Sequence, residues 1–243
     1  MRTLVSSLTG SPVLALLICT SLLGCSLVDD SDESIEQSYT FEEGREGWTG
    51  AFSDFSEVQE SSMELTFDRR RLPGEVDSTR YGLYLSGRNI SDDLFMFLKR
   101  EMTGLAPETT YEVRLRMQIA SASPSGCVGI GGPPGEAVYL KVGAATREPV
   151  RELQNGDYRL SVDKGNQSNG GDRAVVIGNA ANGSPECSDT PYRMIERDNL
   201  EDRLTVRTDG EGSAWIFVGS DSGFEGTTSL HYDRIDLVLE PVE

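Results

Sequence analysis

The sequence predicts an all-β protein, a two-sheet β-sandwich, on three observations. Apolar and polar residues alternate through short segments, turn-forming residues separate those segments, and no stretch of a dozen residues keeps a 3.6-residue period. The clearest segment is TTYEVRLRMQIAS at 109–121. Tyr111, Val113, Leu115, Met117 and Ile119 form one face, and Glu112, Arg114, Arg116 and Gln118 the other. Ten further strands read at 38–42, 63–67, 81–86, 94–98, 137–142, 158–162, 174–177, 204–208, 214–218 and 229–239, enough for a sandwich. Only RMIERDNLEDR, 193–203, reads as a short helical turn. The 26 glycines and 10 prolines are spread along the chain with no concentrated linker, so 38–243 is expected to be one domain.

The first 24 residues read as a signal peptide, with one cation at Arg2 and an apolar stretch from Val13 to Leu23. That stretch is shorter than the roughly 18 or more apolar residues of a membrane span. Leu22-Leu23-Gly24-Cys25 resembles the lipobox of bacterial lipoproteins, which implies that Cys25 becomes an acylated N-terminus anchored in the lipid bilayer. Ser26 resembles the outer-membrane sorting signal, so the expected location is the bacterial outer membrane. The alternative is an ordinary secretory signal with an incidental cysteine. Residues 25–37, rich in Asp and Glu and without a cation, read as a solvated tether.

Twenty-two Lys and Arg against 40 Asp and Glu give a net charge of −18, which repels phosphate backbones and excludes a nucleic-acid binder. The single histidine, His231, excludes zinc sites that need two imidazoles. With Cys19 removed in the leader and Cys25 acylated, Cys127 and Cys187 remain, in an oxidising compartment, and are expected to form a disulfide. Closing the loop between them contributes about 4 kcal/mol at most by loop-closure entropy. A reactive free pair is the alternative.

Two segments carry a family resemblance. YTFEEGREGWTGAFSDF at 39–55 and SLHYDRIDLVLEPV at 229–242 resemble the first and last strands of galactose-binding-like jelly rolls, the fold of many carbohydrate-binding modules. The likeness implies that Glu42 and Asp233, from strands joining the two chain ends, share a structural calcium with backbone carbonyls. Calcium takes six to eight oxygen ligands. The alternative is two solvated acids on polar strand faces. Four central blocks, 86–100, 129–144, 163–171 and 218–230, resemble segments shared by a group of uncharacterised bacterial lipoproteins, a likeness that brings no activity with it.

Candidate chemistry is sparse. Gly129 to Gly135 lacks the Lys-Ser/Thr of a P-loop, and Gly219-Ser220-Asp221-Ser222-Gly223 has aspartate where a nucleophile elbow needs serine. His231 lies inside an alternating strand, a poor position for a triad base. Carboxylate pairs suited to glycoside cleavage are uninformative among 40 acids. Three clusters mix acid, amide, hydroxyl and glycine: 89–93 with Asp92 and Asp93, 163–167 with Asn166, and 221–225 with Asp221 and Glu225. They read either as weak ligand contacts or as Asx turns capping strand exits. Of the two tryptophans, Trp215 reads as core and Trp48 as the one for a sugar face.

The expected function is therefore a non-catalytic, membrane-anchored module binding glycan or another envelope component, with calcium as its structural cofactor. Docking on an envelope protein partner is the second reading. A polysaccharide lyase or hydrolase is the third.

Overall fold

Fifteen strands build the molecule in the computed structural model, which describes residues 34–242. They are β1 (Ile35–Tyr39), β2 (Thr49–Ser53), β3 (Phe55–Ser56), β4 (Thr66–Arg71), β5 (Tyr81–Arg88), β6 (Leu94–Met102), β7 (Thr110–Ser121), β8 (Val138–Ala145), β9 (Arg151–Gln154), β10 (Asp157–Leu160), β11 (Ala174–Asn179), β12 (Arg193–Asp198), β13 (Thr205–Arg207), β14 (Ala214–Ser222) and β15 (Thr227–Pro241). The leader, Cys25 and the tether as far as residue 33 lie outside the described residues. Ile35 to Gln37, read as tether, belong to β1, because their backbone pairs with Leu237 to Leu239 of β15.

The fold is an all-β jelly-roll sandwich. A seven-stranded sheet runs β12-β7-β15-β5-β4, with β13 also on β7 and β1 also on β15. A five-stranded sheet runs β11-β8-β14-β6-β2, and β3-β10-β9 form a small third sheet. Pairing is antiparallel throughout these sheets, so each half-buried strand can alternate its faces. Residues 193–198 are strand, not helical turn: they pair with Arg116 to Ser121 of β7, and Ile195 packs into the core.

The core lies between the two large sheets. Val113, Leu115, Met117 and Ile119 of β7 face Leu94, Met96 and Leu98 of β6 and Ile216 and Val218 of β14 across it, all essentially fully buried. Strand β15 enters this core twice with opposite parity. Leu230 and Tyr232 point inward, then Ile235, Leu237 and Leu239 do. Asp233 is the extra residue between them, since Tyr232 pairs with Ile119 and Arg234 with Gln118. That bulge resets the alternation and swings a carboxylate to the chain-end junction.

The five-stranded sheet is covered on its outer face as well. Phe95, Phe97 and Phe217 are fully buried there, with the Phe95 and Phe97 rings stacked 5.1 Å apart. Leu160 and Val162, at and just after the end of β10, pack on this cluster. Each buried phenylalanine contributes about 1.5–3 kcal/mol, so the small sheet is held on by apolar contact. The Cys127–Cys187 disulfide is formed, with its Cα atoms 5.6 Å apart, inside the usual range.

Candidate functional site

The three polar clusters meet at one end of the five-stranded sheet. Asn89, itself buried, donates from Nδ2 to the carbonyls of Ser222 (2.8 Å) and Phe224 (3.1 Å), tying 89–93 to 221–225. Its Oδ1 accepts from Ser91 N, an Asx turn. The Gln167 backbone N–H donates to Asp221 Oδ2 at 2.8 Å, and its side chain donates to the Asp92 carbonyl at 2.9 Å. Asp163 closes its own loop by accepting from the Gly165 and Asp172 N–H groups, and these bonds hold its carboxyl below the usual range.

Beneath this rim runs a chain of charges. Asp221, fully buried, is approached at 2.8 Å by both Lys141 Nζ and Lys164 Nζ. Lys164 also lies 3.0 Å from Asp54. Arg159 then spans Asp54 at 3.7 Å, Asp93 at 3.3 Å and Asp157 at 3.2 Å. Lys141 completes its shell by donating to the Lys164 and Asn169 carbonyls. Burial pulls the Lys141 ammonium down. Burial acts the same way on Lys164, but Asp221 and Asp54 outweigh it and hold that group up. Burial, with Asp54 and Asp221 nearby, pushes the Asp93 carboxyl up to about 7.

The network opens to solvent at Arg159. One cleft of about 270 Å3 is lined by Asp54, Arg159, Ser161, Asp163 and Lys164. A second, of about 130 Å3, is lined by Asp54, Ser56, Gln59, Ser91, Asp93 and Arg159. Carboxylates and a guanidinium facing one polar cleft can accept and donate to paired hydroxyl groups.

The expected ligand residues therefore separate. Asp92 and Asn166 are exposed on the rim, and Asp93 and Glu225 are partly buried beside it. Asp221 does not contact ligand, because it is closed off as the common anion of two lysines. Trp48 is no sugar platform: it is 1% exposed, packed edge-on against Tyr39 with ring centroids 5.5 Å apart. Trp215, expected in the core, faces outward and is half-buried, because strand alternation gives the core to Ala214 and Ile216.

Glu42 and Asp233 do come together, but around a guanidinium. Arg80 Nη2 lies 2.7 Å from Asp233 Oδ2, and Arg80 Nε lies 3.9 Å from Glu42 Oε1. The backbone carbonyls of Phe41 and Glu42 accept from Arg69. Among the described residues no group of three or more His, Cys, Asp or Glu side chains is placed to hold a metal. The oxygens expected to hold calcium thus face Arg80 and Arg69, and both carboxylate oxygens of Asp233 are buried without a hydrogen-bond partner.

Comparison with known proteins gives a likeness of shape. No family model matches the chain, and no curated protein matches it. Among solved structures, the family 11 carbohydrate-binding module of a Clostridium thermocellum cellulosomal cellulase superposes with 11% identity and a TM-score of 0.37, over 85% of this chain and 95% of that one. The cleaved adhesin domain of Lys-gingipain from Porphyromonas gingivalis does so with 10% identity and a TM-score of 0.36, over 84% and 97%. The enzymatically active domain of bacteriophage CBA120 tailspike protein 4 matches with 10% identity and a TM-score of 0.36, and there the chain spans only 20% of the other's length. Superpositions this loose assign neither ligand nor activity.

Asp54, Asp157, Arg159 and Lys141 do not stand out from sequence, and Lys164 does so only as a member of the 163–167 cluster. One signal was available. The chain has three lysines, Lys99, Lys141 and Lys164, and all three are buried against carboxylates, while exposed cations are arginine. A lysine inside the apolar run AVYLKVGA demands a buried partner.

Proposed function

We propose that this chain is a non-catalytic binding module for glycan, held at the bacterial outer membrane by acylation of Cys25. The observation that carries the reading is the half-open polar cleft around Arg159, whose walls come from segments as far apart as Asp54, Asp93 and Lys164. Its floor is fixed by buried ion pairs, so the ligand meets groups that are already ordered, which lowers the entropy cost of binding. With no exposed tryptophan beside the cleft, recognition rests on hydrogen bonds more than on stacking. The chain's charge of −18 favours neutral over acidic glycans.

A glycan array probed with the purified protein tests this. Binding to a neutral glycan that drops at least about tenfold in Arg159→Ala, which removes a charged hydrogen-bonding group, is the expected result. No binding across a broad array removes the reading. One observation favours docking on an envelope protein instead: Val128 and Ile130, 98% and 71% exposed, project from the disulfide-anchored loop next to the 221–225 rim. Crosslinking that returns one stoichiometric protein, and loses it in Val128→Asp, favours that second reading.

A further inference from the structure

The junction of the chain ends is built from oxygen acceptors that face two arginines. Asp233 is fully buried at the β15 bulge, and Glu42 follows β1. Phe41, between β1 and Glu42 along the chain, sits at φ +63°, a strained conformation for a phenylalanine. Arg80, just before β5, reaches Asp233 at 2.7 Å and approaches Glu42 at 3.9 Å. Arg69, from β4, donates through Nε to the Phe41 carbonyl at 2.6 Å and through Nη2 to the Glu42 carbonyl, and stacks 3.8 Å from the Tyr81 ring centroid. Glu42 Oε1 also accepts from Tyr81 N at 3.2 Å.

We propose that this pair of guanidinium groups stands where a hard divalent cation would otherwise be needed, so that the two ends of the chain are clamped without metal. The acceptor set is two carboxylates and two carbonyls, all oxygen, which is the chemistry a calcium ion selects. A guanidinium can serve such acceptors through its positive charge and its donors: Arg69 bonds the two carbonyls, and Arg80 faces Asp233 as a charge, with neither Asp233 oxygen hydrogen-bonded. Arg80 supplies the charge opposite a carboxylate with no access to water, and Arg69 supplies the hydrogen bonds that hold the strained 41–42 turn. Without Arg80, Asp233 is a buried carboxylate facing Glu42 with no counter-charge, and a divalent cation becomes the natural replacement.

Melting of the intact protein in a few millimolar calcium and in excess EDTA tests the clamp. The native protein is expected to melt at the same temperature in both. A calcium-dependent rise of about 5 °C or more, the scale of a site well above its dissociation constant, that disappears in Glu42→Gln overturns the proposal. Arg80→Met is expected to melt about 6–12 °C lower in EDTA, as for a buried pair left half-made. Calcium recovers part of that loss, and the recovery is absent from Arg80→Met/Asp233→Asn. An Arg80→Met protein that melts like the native one, or that calcium does not help, overturns the proposal too. If Arg80→Met does not fold, the single variant Asp233→Asn carries the test: it is expected to be insensitive to calcium, and a gain in calcium response counts against the clamp. The result is independent of the glycan reading, since no glycan enters it.

Discussion

Asp93 and His231 set opposing pH dependences. The Asp93 carboxyl, usually near 3.8, titrates at about 7, so between those values the folded chain holds a proton the unfolded chain has lost. Stability on its account falls as pH rises through that window. Burial, with Arg70 beside it, lowers His231 from 6.5 to about 4, so there the unfolded chain holds the extra proton and stability rises with pH. The two effects are worth about 4 and about 3 kcal/mol, so they largely cancel between about pH 4 and 6.5. Asp233, pushed up by burial against the pull of Arg80, adds to the Asp93 side. Asp163, held low, acts only below this window. In Asp93→Asn, urea midpoints are expected to climb from pH 4.5 to 6.5 more steeply than in the native protein. In His231→Gln they are expected to fall over the same range. Two variants with the same slope would refute the opposition. The acidic loops were visible in the sequence as clusters, and their meeting was not, because it depends on the Asn89 and Gln167 side chains bonding to the backbone carbonyls of Ser222 and Asp92, 133 and 75 residues away. Trp48 was misplaced for a related reason: a Gly-Trp step gives no alternation from which to read a face.

Strands were readable in proportion to their one-sidedness. β7, with one face in the core and one in water, alternates along nearly its whole length, and its bounds differ from the sequence reading by one residue. β9 is exposed at all four positions and β2 is short and small, so neither leaves a pattern. β12 replaces the helical turn expected at 193–203: Arg193 and Arg197 share the face of buried Ile195, Glu196 lies on the other face, and Arg197 bonds the Asn179 and Ala181 carbonyls across the edge. The doubly covered strands β6, β8 and β14 show continuous apolar runs, and glycines mark where the outer layer comes close. A Cβ on Gly143 would lie 2.0 Å from the Phe217 ring. That ring is confined by Phe95, Phe97 and the residues of β10, so Gly143→Ala is expected to cost about 1–3 kcal/mol in urea denaturation. A cost under about 0.5 kcal/mol, the usual scatter of surface substitutions, would mean that β9 and β10 lift easily off the sheet and that the cleft they wall is not preorganised.

The whole molecule carries its charge in two separate populations. Its lysines sit inside, screened from salt by burial, while exposed ion pairs such as Arg114–Glu240 and Arg234–Asp236 are each worth only about 0–1 kcal/mol. The acids outnumber the cations by a net −18 over the chain, and this excess repels itself across the surface. Salt weakens both the surface attractions and this repulsion, and the repulsion is the larger because acids outnumber cations 40 to 22. Raising sodium chloride from about 0.01 M to about 0.5 M, which shortens the screening length from about 30 Å to under about 5 Å, is therefore expected to raise the melting temperature. The buried pairs of Lys141 and Lys164 with Asp221 should be little affected, so the gain should persist in Arg159→Ala. A fall in melting temperature with salt would show instead that the surface arginines, not the buried lysines, carry the favourable electrostatics of the fold, and the rigid floor assigned to the cleft would lose its physical basis.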